Sequence, residues 1–399
     1  MKVLVFTNLY PNNVMPNHGV FVKERMTTFA RLNGDQVKVV APVPYFPPLK
    51  FNWRWKYSQV ARQETIDGLE VHHPRFFMPP KFGMSLYGLL MFLSALPAVM
   101  KLKRDFDFEV IDAHYVYPDG FAAMLLGFFF KRPVVVSARG SDVNLFSQFP
   151  LIRKLLKLTL KKATAVIAVC QALKDAMINL NIPPAKIAVI PNGVDTAKFF
   201  PVSKQAARRQ LGLPDDKIIL SVGELIPRKG FHVLIEALEL LVREHGRQSI
   251  HLIIVGEGAY RKTLQDLVAS LKLTRHVRLA GAVPHAELNK WYNAADLFCL
   301  ASDREGWPNV ILESLACGTP VVATAIWGTP EILTSEEIGF LTKREARDMA
   351  EKLSKALDTH WEHPKIVNFA RAYTWEKAAR SISDLFAGVL NGKAINELS

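Results

Sequence analysis

Short runs of apolar, β-branched residues recur along this chain, each followed by a stretch of helical spacing, and they come in two successive series. In the first half the runs fall at residues 2–6, 37–43, 110–113, 134–137, 166–168 and 188–190. In the second they fall at 217–222, 251–255, 277–279, 297–300 and 320–323, with helical spacing over 231–244 and 259–271. The runs do not alternate with polar residues, which suits parallel strands covered on both faces. Two βα series predict two doubly wound α/β domains. The length of 399 residues agrees, because single cores rarely grow past about 250–300 residues. The pattern breaks at Pro191-Asn192-Gly193, where turn residues intervene before the next strand, so the domain boundary is expected there.

Hydrophobic content of 49% with 22% charged residues argues against long disordered tracts. Cys170, Cys299 and Cys317 are scattered and odd in number, so they read as buried thiols in a reducing compartment. Met1-Lys2 leads straight into Val3-Leu4-Val5-Phe6 without the longer apolar region of a secretory signal, and a cytoplasmic location is expected. The net charge of +13 is lopsided. Residues 1–200 hold 25 Lys+Arg against 13 Asp+Glu, whereas residues 201–399 hold 25 against 24. A one-sided positive field favours an anionic partner: a nucleic acid, a phosphorylated substrate or an anionic membrane.

Two stretches bear on a membrane. Residues 82–100 run for 19 positions without a charge, the length of a spanning helix. Gly83, Gly88 and Pro97 lie within them, and a crossing there would divide the strands of one sheet, so a buried helix or a shallow contact with lipid is expected instead. Over 151–162, Arg153, Lys154, Lys157, Lys161 and Lys162 interleave with Leu155, Leu156, Leu158 and Leu160. That basic amphipathic helix suits an anionic lipid surface, or else packs its leucines on the sheet and leaves its lysines in water.

The strongest chemical signal follows the run at 297–300. Glu305-Gly306-Trp307-Pro308-Asn309-Val310 leads through Glu313 to Cys317-Gly318. Pro308 suits the first turn of a helix and Gly318 its end. Amides at such a helix start form an anion site, and Glu305 and Glu313 can accept hydrogen bonds from sugar hydroxyls. After the run at 217–222, Arg228 offers a planar fork and Lys229 a point charge, a pair suited to a diphosphate. Gly256 and the turn Gly281-Ala282-Val283-Pro284 each close another run, where a backbone can meet a base or a phosphate.

Together these elements resemble, along essentially the whole chain, glycosyltransferase family 4. Glu305 and Glu313, with seven residues between, look like its E-x7-E motif. Thr7-Asn8-Leu9-Tyr10-Pro11 with Gly19-Val20-Phe21 looks like its glycine loop. The segments 114–120, 139–142 and 190–195 fit as well, and most resemble transferases of cell-wall and exported polysaccharides of the teichuronic-acid type. Trp327 departs from the pattern, standing where many members have a second glycine before Thr329.

The resemblance implies two Rossmann-like domains facing a cleft, the GT-B fold. The acceptor domain would span 1–195 with 372–399 packing back on it, and the donor domain 205–371. It implies a retaining, metal-independent transfer of a sugar from a nucleotide-sugar, UDP-linked or GDP-linked, to a lipid-linked or polysaccharide acceptor. No cofactor is expected beyond that co-substrate, and no nucleic acid as partner. Arg228, Lys229 and the helix amides near Pro308 would neutralise the diphosphate, Glu313 would hold the ribose and Glu305 the transferred sugar. Gly256, Ala282, Val283, Trp307, Asn309 and Val310 would complete the donor pocket. Gly19 would admit the diphosphate, His114 would lie near the reacting carbon, and Arg139 and Asp142 would line the acceptor side. For His114 the alternative is a satisfied core histidine.

Asp105-Phe106-Asp107 spells the metal signature of a different transferase fold, but reads better as a solvated turn. An epimerase or phosphorylase on the same architecture, or a basic nucleic-acid-binding protein, are the competing readings. None of the recognised nucleic-acid motifs is present in the sequence.

Overall fold

The computed structural model describes residues 1–50, 53–79 and 83–393. The chain divides into two units, Met1–Asn192 with Trp375–Ser399, and Gly193–Thr374.

The first unit begins with β1 (Lys2–Phe6), α1 (Val20–Asn33), β2 (Gln36–Val40), β3 (Val43–Pro44), β4 (Gln63–Ile66), β5 (Leu69–His72) and β6 (Arg75–Phe76). It continues through α2 (Tyr87–Asp105), β7 (Val110–His114), α3 (Phe121–Phe130), β8 (Val134–Ala138) and α4 (Ser141–Asn144). Then come α5 (Pro150–Lys162), β9 (Ala165–Ala168), α6 (Gln171–Ile178) and β10 (Ile187–Val189). One sheet runs in the order β10-β9-β8-β7-β1-β2-β5-β4, with β4 antiparallel to β5 and every other neighbour parallel. The run at 37–43 is not one strand. Pro42 has no N–H to give a ladder, so β2 ends at Val40, and Val43 pairs in a separate short ladder with Arg75. The hairpin β4–β5 is absent from the expected set because its half-exposed residues carry no long apolar run.

α2 is long and apolar enough to cross a bilayer by length and composition alone. It lies between β6 and the central strand β7 and packs its Gly88, Met91, Ala95, Val99 and Leu102 inward, which is the helix expected from 82–100. Phe82 itself lies outside the described residues.

The second unit runs α7 (Lys204–Leu211), β11 (Lys217–Val222), α8 (Phe231–Arg243), β12 (Ile250–Val255), α9 (Arg261–Ser270) and β13 (Val277–Gly281). It goes on through α10 (Leu288–Ala294), β14 (Leu297–Leu300), α11 (Asn309–Ala316), β15 (Val321–Thr324), α12 (Thr329–Ile332) and β16 (Gly339–Thr342). α13 (Ala346–Asp358) and α14 (His363–Ala370) close it. Its sheet is wholly parallel, in the order β13-β12-β11-β14-β15-β16. Both units are thus doubly wound α/β folds.

The last helix, α15 (Trp375–Leu390), belongs to the first unit. It lays Trp375, Ile382, Leu385 and Phe386 over Val22, Met26 and Phe29 of α1, and the rings of Phe29 and Phe386 meet edge to face at 5.5 Å. Phe386 is fully buried, so Phe386→Ala opens a cavity and is expected to lower the unfolding free energy by about 3–5 kcal/mol. Urea denaturation of the full chain reads this out. An unchanged midpoint would mean that α15 does not hold α1 in place.

Candidate active site

In each unit a strand pairs on both sides with strands reached by crossovers in opposite directions, and the loops at its carboxyl end lie open there. In the second unit the strand is β11, between β12 and β14. Residues 223–230 leave β11 and residues 301–308 leave β14, and the two loops press together. Gly230 has φ +69, and a Cβ on it would fall 1.9 Å from the carbonyl oxygen of Ala301. Asp303 N–H donates to Arg228 O at 2.9 Å, and Arg228 Nη1 donates to Arg304 O at 2.8 Å.

Across that contact Lys229 Nζ stands 2.6 Å from Glu305 Oε1, and Arg228 Nη1 lies 3.8 Å from Oε2. Ser302 Oγ donates to the same Oε1 at 2.7 Å. Burial works to raise the Glu305 carboxyl, but Lys229 and Arg228 outweigh it and hold the group below its ordinary range. The predicted triad of Arg228, Lys229 and Glu305 is therefore one assembled cluster.

α11 begins at Asn309, one residue after Pro308, which occupies the N-cap and not the first helical turn. Trp307 is buried and leans on Tyr373 at 5.7 Å. Asn309 and Val310 are half-buried at the helix start. Glu313 follows on the second turn, where Tyr292 Oη donates to Oε2 at 2.8 Å and His285 Nε2 lies 2.9 Å from Oε1. Burial, and after it the Glu313 carboxylate and Cys317, push the Tyr292 phenol well above its usual value. His285 and Tyr292 were missed in the sequence. They come from the turn and helix after β13, and nothing in their own segment marks them as partners of a carboxylate.

Gly256 is needed where it stands, because at φ +149 a Cβ would meet Gly223 O at 1.8 Å. Its N–H donates to Gly281 O at 2.8 Å, so the ends of β12 and β13 close beside the cluster's loop. Ala282 is exposed and Val283 half-buried in the turn beyond. Trp327, the residue that departs from the family pattern, sits at φ +44, a left-handed conformation that strains a bulky side chain by about 1–3 kcal/mol.

The first unit has its own such point at β1, between β2 and β7. Gly19 caps α1 at φ +65, and a Cβ there would lie 2.3 Å from Leu9 C and O, so only glycine lets the 7–10 loop rest on the helix start. Thr7 Oγ1 donates to His114 O at 3.2 Å, and Asn8 N–H donates to the Asp119 carboxylate.

His114 is fully buried, which favours the core-histidine alternative over an open catalytic ring. Arg139 donates to its Nδ1, and Asp112 Oδ2 lies 3.0 Å from Nε2 but out of hydrogen-bond alignment. Burial lowers its pKa to about 4, against the pull of Asp112, so the ring is neutral at pH 7. Arg139 also donates to Asn192 Oδ1 at 2.9 Å and stands over the Phe21 ring. Asp142 is fully buried too, and its carboxylate accepts the amides of Val116 and Gly140 at 2.8 Å and of Arg139 at 3.1 Å. It clamps the loops after β7 and β8, and is no open carboxylate lining a pocket. Two further titratable residues, Arg25 and Asp119, complete this buried group. Arg25 was legible in principle as a charge in line with Val22, Met26 and Phe29 on the inner face of α1.

On α5, Arg153, Lys154, Lys161 and Lys162 are exposed and Lys157 half-buried, while Ile152, Leu156 and Leu160 face inward. Asp107 of the D-x-D sequence is engaged by Lys103 and by Arg132, the latter at 2.8 Å, which fits the solvated turn.

Burial raises the Asp119 carboxyl to about 8, against the amide of Asn8 and its own, which lower it. Its folded pKa thus lies above the unfolded value of about 4, so stability from its bound proton is full below about pH 4. It is lost as pH rises through about 8. Asp119→Asn keeps an acceptor for Asn8 without the titration. Its stability relative to the native chain is expected to rise between about pH 5 and pH 8 in urea melts, and a pH-independent difference would refute the buried titration.

Residues 203–373 match the family model for Glycosyl transferases group 1, and residues 78–198 match that for Glycosyltransferase Family 4. A Bacillus subtilis protein named for teichuronic acid biosynthesis is 29% identical over 374 residues, covering 92% of this chain and 90% of its own. Sucrose-phosphate synthase of Thermosynechococcus elongatus superposes with a TM-score of 0.80 at 20% identity, covering 98% of this chain and 99% of its own. The Anabaena protein HepE, solved with UDP, gives 0.75 at 21%, covering 97% and 100%. With the two family models matched in series along a chain of two doubly wound units, this protein belongs to the GT-B glycosyltransferases of family 4.

Proposed function

We propose that this glycosyltransferase moves a hexose, with retention and without a metal, from a nucleotide-sugar to a lipid-linked or polysaccharide acceptor of the cell surface. The observation that carries the reading is the Arg228–Lys229–Glu305 cluster at the carboxyl ends of β11 and β14. Leaving of the nucleotide develops negative charge on the diphosphate. Cations already held in place by Glu305 and by Arg304 O stabilise that charge without reorganising, as do amides at the start of α11. Glu313, oriented by Tyr292 and His285, would accept from the ribose hydroxyls, and Glu305 from the transferred sugar. A UDP-sugar is favoured because HepE was solved with UDP and with UDP-glucose, and GDP-linked donors are the other option.

The acceptor would be engaged by the first unit through the 7–10 loop and Arg139, with His114 and Asp142 as positioning residues behind them. Attack would come on the face from which the nucleotide leaves, with no covalent glycosyl-enzyme. The name of the Bacillus subtilis relative supports a cell-wall acceptor. The basic excess of residues 1–200 and the lysines of α5 support work at the inner face of an anionic membrane, from the cytoplasm.

Donor binding and hydrolysis across UDP-, GDP- and ADP-sugars, with and without EDTA, test the reading. One donor is expected to bind and turn over regardless of EDTA, and Arg228→Ala to lower its kcat/KM by about 10²–10³-fold. A folded protein that binds no donor, or that loses all turnover in EDTA, would contradict it.

A further inference from the structure

α2 is as apolar outside as inside. Its inward stripe is Gly88, Met91, Ala95, Val99 and Leu102, as a packed helix requires. Its outward stripe is Leu86 at the preceding turn, then Leu89, Leu93, Pro97 and Met100, all exposed, with no charge before Lys101. A water-facing helix ordinarily carries polar residues there. Only 28% of the most apolar window of this helix, whose mean hydropathy is 1.6, is buried within the chain, so the core does not account for its composition.

α3 extends the same surface. It runs alongside α2, with Gly88 against Phe121 at their starts and Phe130 on Phe108 at 5.6 Å just past the end of α2. At that far end Phe128 is 88% exposed and Phe129 52%. α5 packs on α3 and on the turn at Met84–Leu86, and turns Leu151 and Leu158 outward among Arg153, Lys154, Lys161 and Lys162. Lys101, Arg104 and Lys131 stand at the other end beside the exposed Asp105, and the second acid there, Asp107, is already engaged by Lys103 and Arg132. An apolar ridge flanked by an excess of cations matches one environment, the boundary between anionic headgroups and acyl chains.

We propose that the outer faces of α2 and α3 insert into the lipid monolayer, lying flat in it, while the α5 cations rest on the headgroups. The proposal rests on the membrane reading above and deepens it: apolar insertion, not charge alone, holds the protein at the bilayer. A second copy of this chain is the rival occupant. Against it stands the basic border, which two copies brought face to face would set against itself.

The test floats the full chain with vesicles of phosphatidylcholine and phosphatidylglycerol in equal parts, at low salt and at about 1 M salt, where screening acts within about 3 Å. The native chain is compared with Leu89→Gln/Leu93→Gln/Phe128→Gln and with Lys154→Gln/Lys157→Gln/Lys161→Gln. All of these residues lie at the surface, and circular dichroism verifies that each variant is folded. Binding by the native chain and the lysine variant is expected to persist at high salt, and the apolar variant to lose at least about tenfold in partitioning there. The native cysteines are buried, so an environment-sensitive maleimide dye attached to Leu93→Cys reports from that site alone. Its emission is expected to shift to the blue on vesicles.

Native binding that is lost at high salt, with no dye shift, overturns insertion and leaves the electrostatic membrane reading standing, and high-salt binding unchanged in the apolar variant overturns insertion through this ridge. No vesicle binding by the native chain at any salt overturns both. A dimer that dissociates in the apolar variant, without vesicle binding, assigns the ridge to a second copy and overturns the proposal as well.

Discussion

Where two loops leave β11 and β14 on diverging paths, one backbone lies directly on the other, and Gly230 is the residue that permits it. Everything chemical in the second unit follows from that contact. It brings Lys229 from one strand end and Glu305 from the next within 2.6 Å, with Ser302 and Arg228 on the same carboxylate. Without Lys229 the Glu305 carboxyl would lose the larger of the two charges that hold it below its ordinary range. Paired, they are rigid before any ligand arrives, which is the condition for electrostatic catalysis to act at full strength. Under the proposed function, an incoming anion would gain the lysine only by also satisfying the carboxylate, so phosphate joined to a hydroxyl-bearing sugar would match better than phosphate alone.

The first unit uses buried charge differently. Arg25, Asp112, His114, Arg139 and Asp142 lie beneath the strand ends, and most of their hydrogen bonds go to loop backbone or to one another. The His114 ring against it, then Arg25 and Arg139, keep the Asp112 carboxyl below its ordinary range despite its burial, while the Asp142 carboxyl is raised by its own burial. Removing one member of such a group leaves the rest unpaired, so its members act together and not as separate contributions. The arrangement fixes the loops that carry Tyr115–Gly120 and Arg139–Ser141 without placing a bare charge at the surface.

Much of this was legible in the sequence, for a definite reason. Strands such as β11, β12 and β14 are buried on both faces, so their apolar runs are uninterrupted and their ends can be counted. The Glu305 to Glu313 segment is local, and a local motif carries its own spacing. What could not be read was set by distant neighbours. Nothing near Glu313 announces Tyr292 or His285, because the sheet order, and not the chain order, brings them together. His114 reads equally well as a ligand or a core residue until Asp112 and Arg139 are seen on either side of it. The hairpin at 63–72 carries no apolar run, and its Asp67-Gly68 turn, both residues at positive φ, is a hairpin signal that a search for apolar runs passes over. The outward stripe of α2 was read as part of a buried helix or as a shallow contact with lipid, since hydropathy alone does not say which way a side chain points.

The return of α15 to the first unit bears on how the chain is made. Met26 and Phe29 of α1 are translated before their cover, Ile382 and Phe386, with the whole second unit made in between. The second unit, whose residues 193–374 are continuous, has every part it needs before α15 exists. The unit begun first is therefore finished last, and its greasy flank stays open on the ribosome through the synthesis of a whole second domain, a long interval in which a holding chaperone has something to hold.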